Sequence, residues 1–243
     1  MIKHVTSIIL LLALVVIVGV VVAQRYPHLV SRVLPNNPPE DVVLKLNFQA
    51  QLATKGFAMG QPVFMRIFKE EAELEVWLQK GDGFELFKTY PICNYSGDLG
   101  PKLQEGDRQS PEGFYFVDRS ALNPNSSYHL SFNLGFPNAY DRAKDRTGSY
   151  LMVHGDCLSI GCYAMTDVGI EEIYGLGEAA LNAGQPYFRV HAFPFRMTDA
   201  RMKRAVGDRW YGFWQNLKQG FDEFEMGHVP PDVTVVDGTY VFE

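Results

Sequence analysis

The stretch VHGDCLSIGCYAMTD, residues 153–167, places one histidine, two cysteines, a serine and two glycines within fifteen residues. Three kinds of site account for such a cluster: a cysteine nucleophile with a histidine base, a metal site, or a cysteine-rich turn in a core. The spacing inside the stretch and the character of the surrounding chain have to distinguish them.

The nucleophile interpretation centres on Cys162, which lies a few residues before a predicted helix. Gly161 beside it lets a substrate approach the backbone closely, and backbone N–H groups of the turn Ser159–Tyr163 are predicted to face a developing oxyanion. The positive end of the helix dipole is expected to lower the pKa of the thiol. His154, at the end of the preceding strand, is the predicted base that reaches the sulfur, and Ser159 orients the pair.

Two other interpretations use the same residues. A zinc site would take His154, Cys157 and Cys162, with Cys93 or His191 as a fourth ligand, although the spacing of the two cysteines is at the edge of the usual range. A core turn would bury the cysteines as small apolar side chains and leave the histidine with an ordinary hydrogen bond. The residues alone leave these alternatives open.

Composition limits the function. The chain has 243 residues, 47% of them hydrophobic, so it has enough apolar surface for one sizeable domain or two small ones. Its net charge of −6 argues against a nucleic-acid partner, which requires a basic face. The cysteine count of three is odd, so one disulfide leaves one free thiol, and a free thiol in an oxidising compartment is expected to have a function.

The N-terminus predicts export. Lys3 precedes an apolar run from Ile8 to Ala23, and Val21–Ala23 is an acceptable cleavage site. The run also nearly reaches the length that spans a bilayer, so residues 1–23 are predicted to be a signal peptide or an uncleaved membrane anchor, with a buried core helix as a third interpretation. Either form of export places the rest of the chain outside the cytoplasm.

The remaining sequence is rich in strand patterns. Residues 24–60 read as a proline-rich linker and a short helix ending near Gly56, and alternating apolar residues from Gln61 predict a meander of antiparallel strands with a turn at KGDG. Thr166 or Asp167 is predicted to cap a helix. A hairpin is predicted around Asp237 and Gly238. The prediction is therefore a mostly β protein with a few α-helices, of the α+β class.

One long segment between strands is unusual. It reads CNYSGDLGPKLQEGDRQSPEGFYFVDR and is rich in Gly, Asp, Ser and Pro. Long structured loops inside a domain are usually functional, so this segment is expected to contribute to a site.

Four blocks of the chain resemble a known family. They read FKEEAELEVWLQKGDGFELFKTYPICNYSGDLGPKLQEGDRQSPEGFYFV, LGFPNAYDRA, YLMVHGDCLSIGCYAMTD and FPFRMTDARMKR. The sequence around them, from about Gln61 to Val236, is similar to the YkuD-like L,D-transpeptidase catalytic domain, and most closely to the YafK branch. The resemblance implies a catalytic domain over residues 61–195, followed by a helical extension and terminal hairpin over residues 196–243.

The resemblance also implies roles for residues. Cys162 is the nucleophile, His154 the general acid and base, and Ser159 and Gly161 belong to the oxyanion turn, with no cofactor and no metal. The element SPEG, Ser110–Gly113, corresponds to a turn beside the site. With Cys162 as the reactive thiol, Cys93 and Cys157 either form the one disulfide or stay reduced and buried.

Two positions depart from the wider family. Ile160 stands where most members have a second histidine, and Ala164 stands where many have an arginine. Arg196 is a candidate for the missing polar contact, with a structural role as the alternative. Tyr140 and Asp141 either line the substrate cleft or form a turn cap with a core aromatic.

The substrate that the resemblance implies is the stem peptide of peptidoglycan. The preferred activity is hydrolysis, through a Cys162 thioester, of the amide between meso-diaminopimelate and the C-terminal lysine of a wall-linked lipoprotein. The alternatives are an L,D-transpeptidase that forms crosslinks or lipoprotein links, and, in a different class, a non-catalytic wall-binding or zinc-stabilised module. The expected location is the periplasm, with anchoring to the inner membrane if the N-terminus is not cleaved.

Overall fold

The predicted meander forms the larger part of a five-stranded sheet. In the computed structural model, which describes residues 40–243, its strands are β1 (Val63–Phe68), β2 (Glu73–Lys80), β3 (Gly83–Pro91), β5 (Gly113–Val117) and β10 (Phe188–Phe193). Their order is β3-β2-β1-β10-β5, and only the β1–β10 pair is parallel. The central strand β1 is buried along its whole length, which explains why five of its six residues are apolar.

A second five-stranded sheet carries the quoted stretch. Its strands are β4 (Asn94–Tyr95), β6 (Leu122–Ser126), β7 (His129–Asn133), β8 (Met152–His154) and β9 (Tyr163–Ala164). Their order is β4-β9-β8-β7-β6, with β8 and β9 parallel and the other pairs antiparallel. The residues between β8 and β9 form the tight connection that holds the cysteines.

The helices and the terminal hairpin complete the described part of the chain. They are α1 (Glu40–Thr54), α2 (Ala139–Ala143), α3 (Asp167–Asn182), α4 (Asp199–Arg204), α5 (Tyr211–Gly227), a short 3-10 helix (Arg119–Ala121), and the antiparallel strands β11 (Val233–Val236) and β12 (Thr239–Phe242). The predicted helix cap lies at Thr166, whose Oγ1 accepts the Gly169 N–H at 3.1 Å at the start of α3. The predicted terminal hairpin is also confirmed.

The chain divides into Met1–Ala50 and Gln51–Glu243. The second unit contains both predicted parts, 61–195 and 196–243. The predicted signal or anchor over residues 1–23 and residues 24–39 of the predicted linker segment lie outside the described residues. Within residues 40–243, no helix combines the length and the apolar character needed to cross a membrane.

The two faces of the first sheet pack against different layers. Phe188 of β10 contacts Phe132 of the second sheet, with ring centroids 5.5 Å apart, and also lies against Gly177 of α3. On the opposite face, Phe193 of β10 packs against Phe221 of α5, with centroids 5.4 Å apart. The second sheet and α3 therefore cover one face, and the C-terminal elements cover the other.

Candidate active site

The three cysteines divide into a disulfide and a free thiol. Cys93, just before β4, is bonded to Cys157, in the β8–β9 connection, and Cys162 is free. The disulfide alternative of the sequence analysis is confirmed. The zinc alternative is wrong, because Cys157 is not available as a thiolate, and residues 40–243 contain no group of three or more His, Cys, Asp or Glu that could hold a metal ion.

His154 ends β8, and Cys162 directly precedes the neighbouring parallel strand β9. His154 pairs in register with Ala164, and side chains alternate along a strand, so Cys162, two residues earlier, faces the same way as His154. The Met152 N–H donates to Cys162 Sγ at 3.4 Å, and the thiol donates to the Tyr150 carbonyl at 3.6 Å. The strand pairing thus brings the predicted nucleophile and base to one face of the second sheet, at its two inner strands β8 and β9.

The imidazole of His154 has a defined tautomer. Its Nδ1 lies 2.6 Å from the Gly155 carbonyl, which only accepts hydrogen bonds, so Nδ1 carries the proton. Burial lowers the pKa of His154, although the Gly155 bond and Asp156 act in the opposite direction. The ring is therefore neutral at neutral pH and its Nε2 lone pair is free to accept a proton. Among residues 40–243, His154 makes no hydrogen bond to Cys162.

The resting state of the thiol differs from the prediction. Burial raises the pKa of Cys162, and the Met152 N–H and the charge of Lys102 offset only part of this effect. The expected lowering by the helix dipole is wrong: helix α3 begins only at Asp167, and a helix dipole acts mainly within its first turn. The site therefore rests as a neutral thiol beside a neutral imidazole.

Three serines fix the backbone around Cys162. Ser159 Oγ and Ser110 Oγ both donate to the Cys162 carbonyl, at 2.7 and 3.0 Å. With these protons committed, Ser159 Oγ accepts from the Ser96 hydroxyl at 2.9 Å, and Ser110 Oγ accepts from the Ser96 N–H at 3.0 Å. Ser96 Oγ in turn accepts the Gly161 N–H at 3.0 Å. Each of the three serine hydroxyls therefore donates to one defined acceptor.

The two backbone amides predicted to hold an oxyanion, those of Gly161 and Cys162, differ in their hydrogen bonding. The Gly161 N–H is bound to Ser96, whereas the Cys162 N–H has no hydrogen-bond acceptor among residues 40–243. Gly161 has φ +112°, a conformation that L side chains rarely adopt, which explains the glycine. The amide available to a developing oxyanion in this structure is that of Cys162.

Lys102 is a cation whose charge acts on the Cys162 thiol, and the sequence analysis did not single it out. Its side chain is buried and its Nζ binds the Gln104 carbonyl at 2.9 Å and the Asp107 carboxylate. Its charge favours the thiolate of Cys162. Ser96 and Lys102 both come from the long loop that was predicted to be functional, so its length and composition were the available signal.

A buried lysine holds that loop against the first sheet. Lys69 and Glu112 are both 0% exposed and form an ion pair of 3.1 Å. Lys69 Nζ also donates to the carbonyls of Asp98, Gly100 and Ser110. The pair is a structural anchor that sets the position of Ser110, and through it the Cys162 carbonyl.

Arg196 has a structural role. Its guanidinium binds Glu73 and Glu75 on β2, at 2.5 and 2.7 Å, so it is not available beside Cys162. The position of the family arginine is filled by the buried Ala164, and Ile160 is 80% exposed.

The other candidate residues are also structural. Asn138 and Asp141 form a reciprocal capping box at the start of α2, and Asp141 pairs with Arg146 while fully buried. Tyr140 stacks on Tyr240 with ring centroids 4.3 Å apart. The alternative of a turn cap with a core aromatic is therefore confirmed.

A cavity of about 440 Å³ lies beside the residues that contact the Cys162 sulfur. Its lining includes Tyr150 and Met152, which both contact Cys162 Sγ, together with Asn123, Asn133 and Phe116. Mixed polar and apolar walls of this kind suit an extended peptide with polar side chains.

The fold and the site define an α+β protein with a cysteine and a histidine on one face of a sheet, at its two inner strands. No family model matches the chain. It is 54% identical over 183 residues, 75% of this chain and 74% of the relative, to YafK of Escherichia coli K12, whose name assigns it provisionally to the L,D-transpeptidases. The relative from Escherichia coli O157:H7 has the same identity and coverage. The chain therefore belongs to the L,D-transpeptidase family, in the group of YafK.

Solved structures overlap more distantly. The helical cell shape determining protein Pgp2 of Campylobacter jejuni is 16% identical with a TM-score of 0.44, covering 78% of this chain and 80% of Pgp2. Bd1075 of Bdellovibrio bacteriovorus is 15% identical with a TM-score of 0.40, covering 73% of this chain and 81% of Bd1075.

Proposed function

We propose that this protein is a cysteine amidase that acts on peptidoglycan in the periplasm. Its proposed substrate is the amide between meso-diaminopimelate and the C-terminal lysine of a wall-linked lipoprotein. The observation that carries the proposal is the shared face of His154 and Cys162, with an unprotonated Nε2 at the end of β8 and a free thiol directly before the parallel strand β9. Membership of the L,D-transpeptidase family supports peptidoglycan as the substrate class.

The first half of the reaction forms a thioester. When the substrate is bound, the Cys162 thiol transfers its proton to His154 Nε2 and the sulfur attacks the amide carbonyl. Catalytic hydrogen bonds often form only in the substrate complex, which is consistent with the absence of a His154–Cys162 bond in this structure. The Cys162 N–H stabilises the oxyanion, and the charge of Lys102 favours the developing thiolate.

The second half releases the products. His154 returns its proton to the departing lysine amine, the C–N bond breaks, and an acyl group remains on Cys162. His154, neutral again, removes a proton from water, which attacks the thioester and frees the diaminopimelate carboxylate. The proton on His154 then restores the thiol.

Hydrolysis is preferred to transpeptidation because the chain lacks the cation that the wider family often carries beside the cysteine. Ala164 occupies that position and is buried, and Arg196 is bound to two glutamates. Neither position therefore offers a polar contact to an acceptor peptide. An L,D-transpeptidase that uses an amine to resolve the thioester is the alternative that the experiment below separates.

The disulfide supports the proposed location. Disulfides form and persist in oxidising compartments such as the bacterial periplasm, and Cys93–Cys157 lies next to the site. We propose that residues 1–23 either direct export and are removed or anchor the protein to the inner membrane. Fractionation of cells, followed by N-terminal sequencing of the protein, distinguishes the two.

The test is digestion of lipoprotein-linked peptidoglycan with the full-length protein, beside Cys162→Ala. Release of lipoprotein by the wild type alone supports the amidase. New crosslinks or exchanged terminal residues without release would establish the transpeptidase. No change with either preparation would overturn the enzymatic proposal and favour a wall-binding module.

A further inference from the structure

A second cavity, of about 350 Å³, lies on the other side of the first sheet from the candidate active site. His191 and Arg189 of β10 line it, opposite Phe114 and Phe116 of β5, with which they pair in register. These residues alternate with Phe188, whose face packs against the second sheet. The cavity is therefore separate from the site around Cys162, and the terminal hairpin forms its other wall.

His191 at this cavity has an unsatisfied hydrogen-bonding capacity. Its side chain is 1% exposed, and neither ring nitrogen has a hydrogen-bond partner among residues 40–243. Burial, together with the charges of Arg189 and Arg66, lowers the pKa of His191 far below its usual value, so the ring is neutral. A neutral imidazole offers one donor and one acceptor. Buried polar groups without partners are rare and costly, which points to a ligand group that both donates and accepts, such as a hydroxyl.

The walls of the cavity are aromatic and carry no uncompensated charge. Phe114, Phe116, Tyr187 and Tyr240 contribute ring surfaces. Arg189 at the rim is paired with Asp232 and lies over the Tyr187 ring, 5.3 Å from its centroid. Aromatic surface beside a hydroxyl-binding group matches a neutral ring that has apolar C–H faces and hydroxyls at its edge. A sugar ring has these properties, and the volume is at the lower end of ordinary ligand pockets.

Phe116 connects this cavity with the candidate active site. Its side chain is 62% exposed and lines both this cavity and the one that includes Tyr150 and Met152. A ligand that extends past Phe116 therefore reaches both. In peptidoglycan, the stem peptide is covalently attached to a glycan strand, so a peptide held at Cys162 brings sugar rings within the same molecule.

We propose that the cavity of His191 binds a sugar ring of the glycan strand that carries the stem peptide. This inference rests on the proposed function for its substrate and adds a recognition site for the glycan. The imidazole of His191 binds a sugar hydroxyl, and the aromatic side chains, Phe116 foremost, pack against the sugar face. The site would favour substrate in intact wall over free peptide.

Direct binding tests the site. The probe is the N-acetylglucosamine–N-acetylmuramic acid disaccharide without peptide, titrated into the full-length protein by calorimetry. We expect saturable binding that His191→Leu and Phe116→Ala each weaken by about tenfold, the loss expected for one good contact. Met226→Ala, an exposed side chain on α5 outside the cavity, is the matched control and is expected to bind like the wild type. Absence of saturable binding, or equal binding by all variants, overturns the inference.

A kinetic comparison separates this inference from the proposed function. The substrates are diaminopimelate–lysine stem peptides with and without the attached disaccharide. We expect a higher kcat/KM for the disaccharide substrate, mainly through KM, and a ratio that falls towards one in His191→Leu and Phe116→Ala. Turnover of neither substrate contradicts the proposed function. Equal turnover of both, without disaccharide binding, contradicts only the glycan site. His191 is buried, so His191→Leu can impair folding. Phe116 is exposed, so Phe116→Ala is expected to fold and tests the glycan site independently.

Discussion

Ser96 and Gly161, 65 residues apart in sequence, are joined by a hydrogen bond of 3.0 Å from the Gly161 N–H to Ser96 Oγ. The bond connects the loop after β4 to the turn that presents Cys162. Through Ser159 and Ser110 it extends to the Cys162 carbonyl, so the Ile160–Gly161 peptide unit before Cys162 and the Cys162–Tyr163 unit after it are both hydrogen-bonded. We therefore expect Ser96 to be a positioning residue that acts through the turn.

Ser96→Ala is expected to lower kcat about tenfold with little change in KM, because one hydrogen bond to the turn and one to Ser159 are lost and the Cys162 amide is less well aligned. Steady-state kinetics on the stem-peptide substrate measures this. Ser96→Thr retains the hydroxyl and is expected to recover most of the activity. Ser127→Ala, in an exposed turn, is the control. An equal loss in the alanine and threonine variants would argue against the network.

The raised pKa of Cys162 predicts a slow thiol in the absence of substrate. Alkylation by iodoacetamide requires the thiolate, so its rate is expected to rise with pH and to reach half of its maximum above the usual range for cysteine. Mass spectrometry of the Cys162 peptide across pH measures this. Rapid alkylation near neutral pH would contradict the resting state described above.

Lys102→Met is expected to raise the pKa of Cys162 further, because the variant loses a positive charge that favours the thiolate. The midpoint of the alkylation profile moves to higher pH, and kcat falls by about tenfold if the same charge supports the developing thiolate during attack. Lys102→Arg keeps the charge and is expected to keep the midpoint near that of the wild type. An unchanged midpoint in Lys102→Met would show that Lys102 only holds the loop.

The lowered pKa of His154 predicts activity that persists into mild acid. The base must be neutral, and burial keeps it neutral to a pH below the usual histidine range. The acidic limb of the kcat/KM profile is therefore expected below pH 6.5, the ordinary value of a histidine. A limb at or above that pH would contradict the lowered pKa of His154.

The disulfide is expected to stabilise the folded state, because it joins residues 64 positions apart. Replacing Cys93 and Cys157 together by alanine is expected to lower the free energy of unfolding by about 2–4 kcal/mol. Urea unfolding under oxidising and reducing conditions measures the effect. The reductant should destabilise the wild type and Cys162→Ala alike and leave the double variant unchanged. Equal stability of the wild type with and without reductant would contradict this assignment.

The Lys69–Glu112 pair is expected to be essential for the loop. Lys69→Met leaves a buried carboxylate without its cation and is expected to cost about 3–5 kcal/mol of unfolding free energy. Lys80→Met breaks the exposed Lys80–Glu85 pair and is expected to cost at most about 1 kcal/mol. Similar losses of unfolding free energy in the two variants would contradict the anchor role of Lys69.

Local patterns predicted much of the fold. The strands β1 and β2, the KGDG turn, the Thr166 cap and the terminal hairpin depend on neighbouring residues, and the structure confirms each of them. The predicted alternation of a buried and an open face is wrong for β1, because both of its faces are covered. Pairing between distant strands could not be read from periodicity. The parallel contact of β1 with β10 is one such pairing.

The candidate site was predictable in part. Cys162 and His154 stand in one stretch, and the family resemblance placed the Ser110–Gly113 turn beside them. Ser96 and Lys102 were not predicted, because they reach the site through a loop that is fixed by the buried Lys69. The pKa of the thiol was predicted in the wrong direction. Burial depends on how the two sheets pack, and no short stretch contains that information.

The central claim is a thioester on Cys162, and hydroxylamine trapping tests it most directly. Turnover of the diaminopimelate–lysine substrate in excess hydroxylamine, followed by mass spectrometry, should give the diaminopimelate hydroxamate with the wild type, equal in amount to the lysine that is released beyond simple hydrolysis. Cys162→Ala should give neither product. Lysine release without any hydroxamate, or release that persists in Cys162→Ala, would contradict a cysteine acyl-enzyme and with it the proposed mechanism.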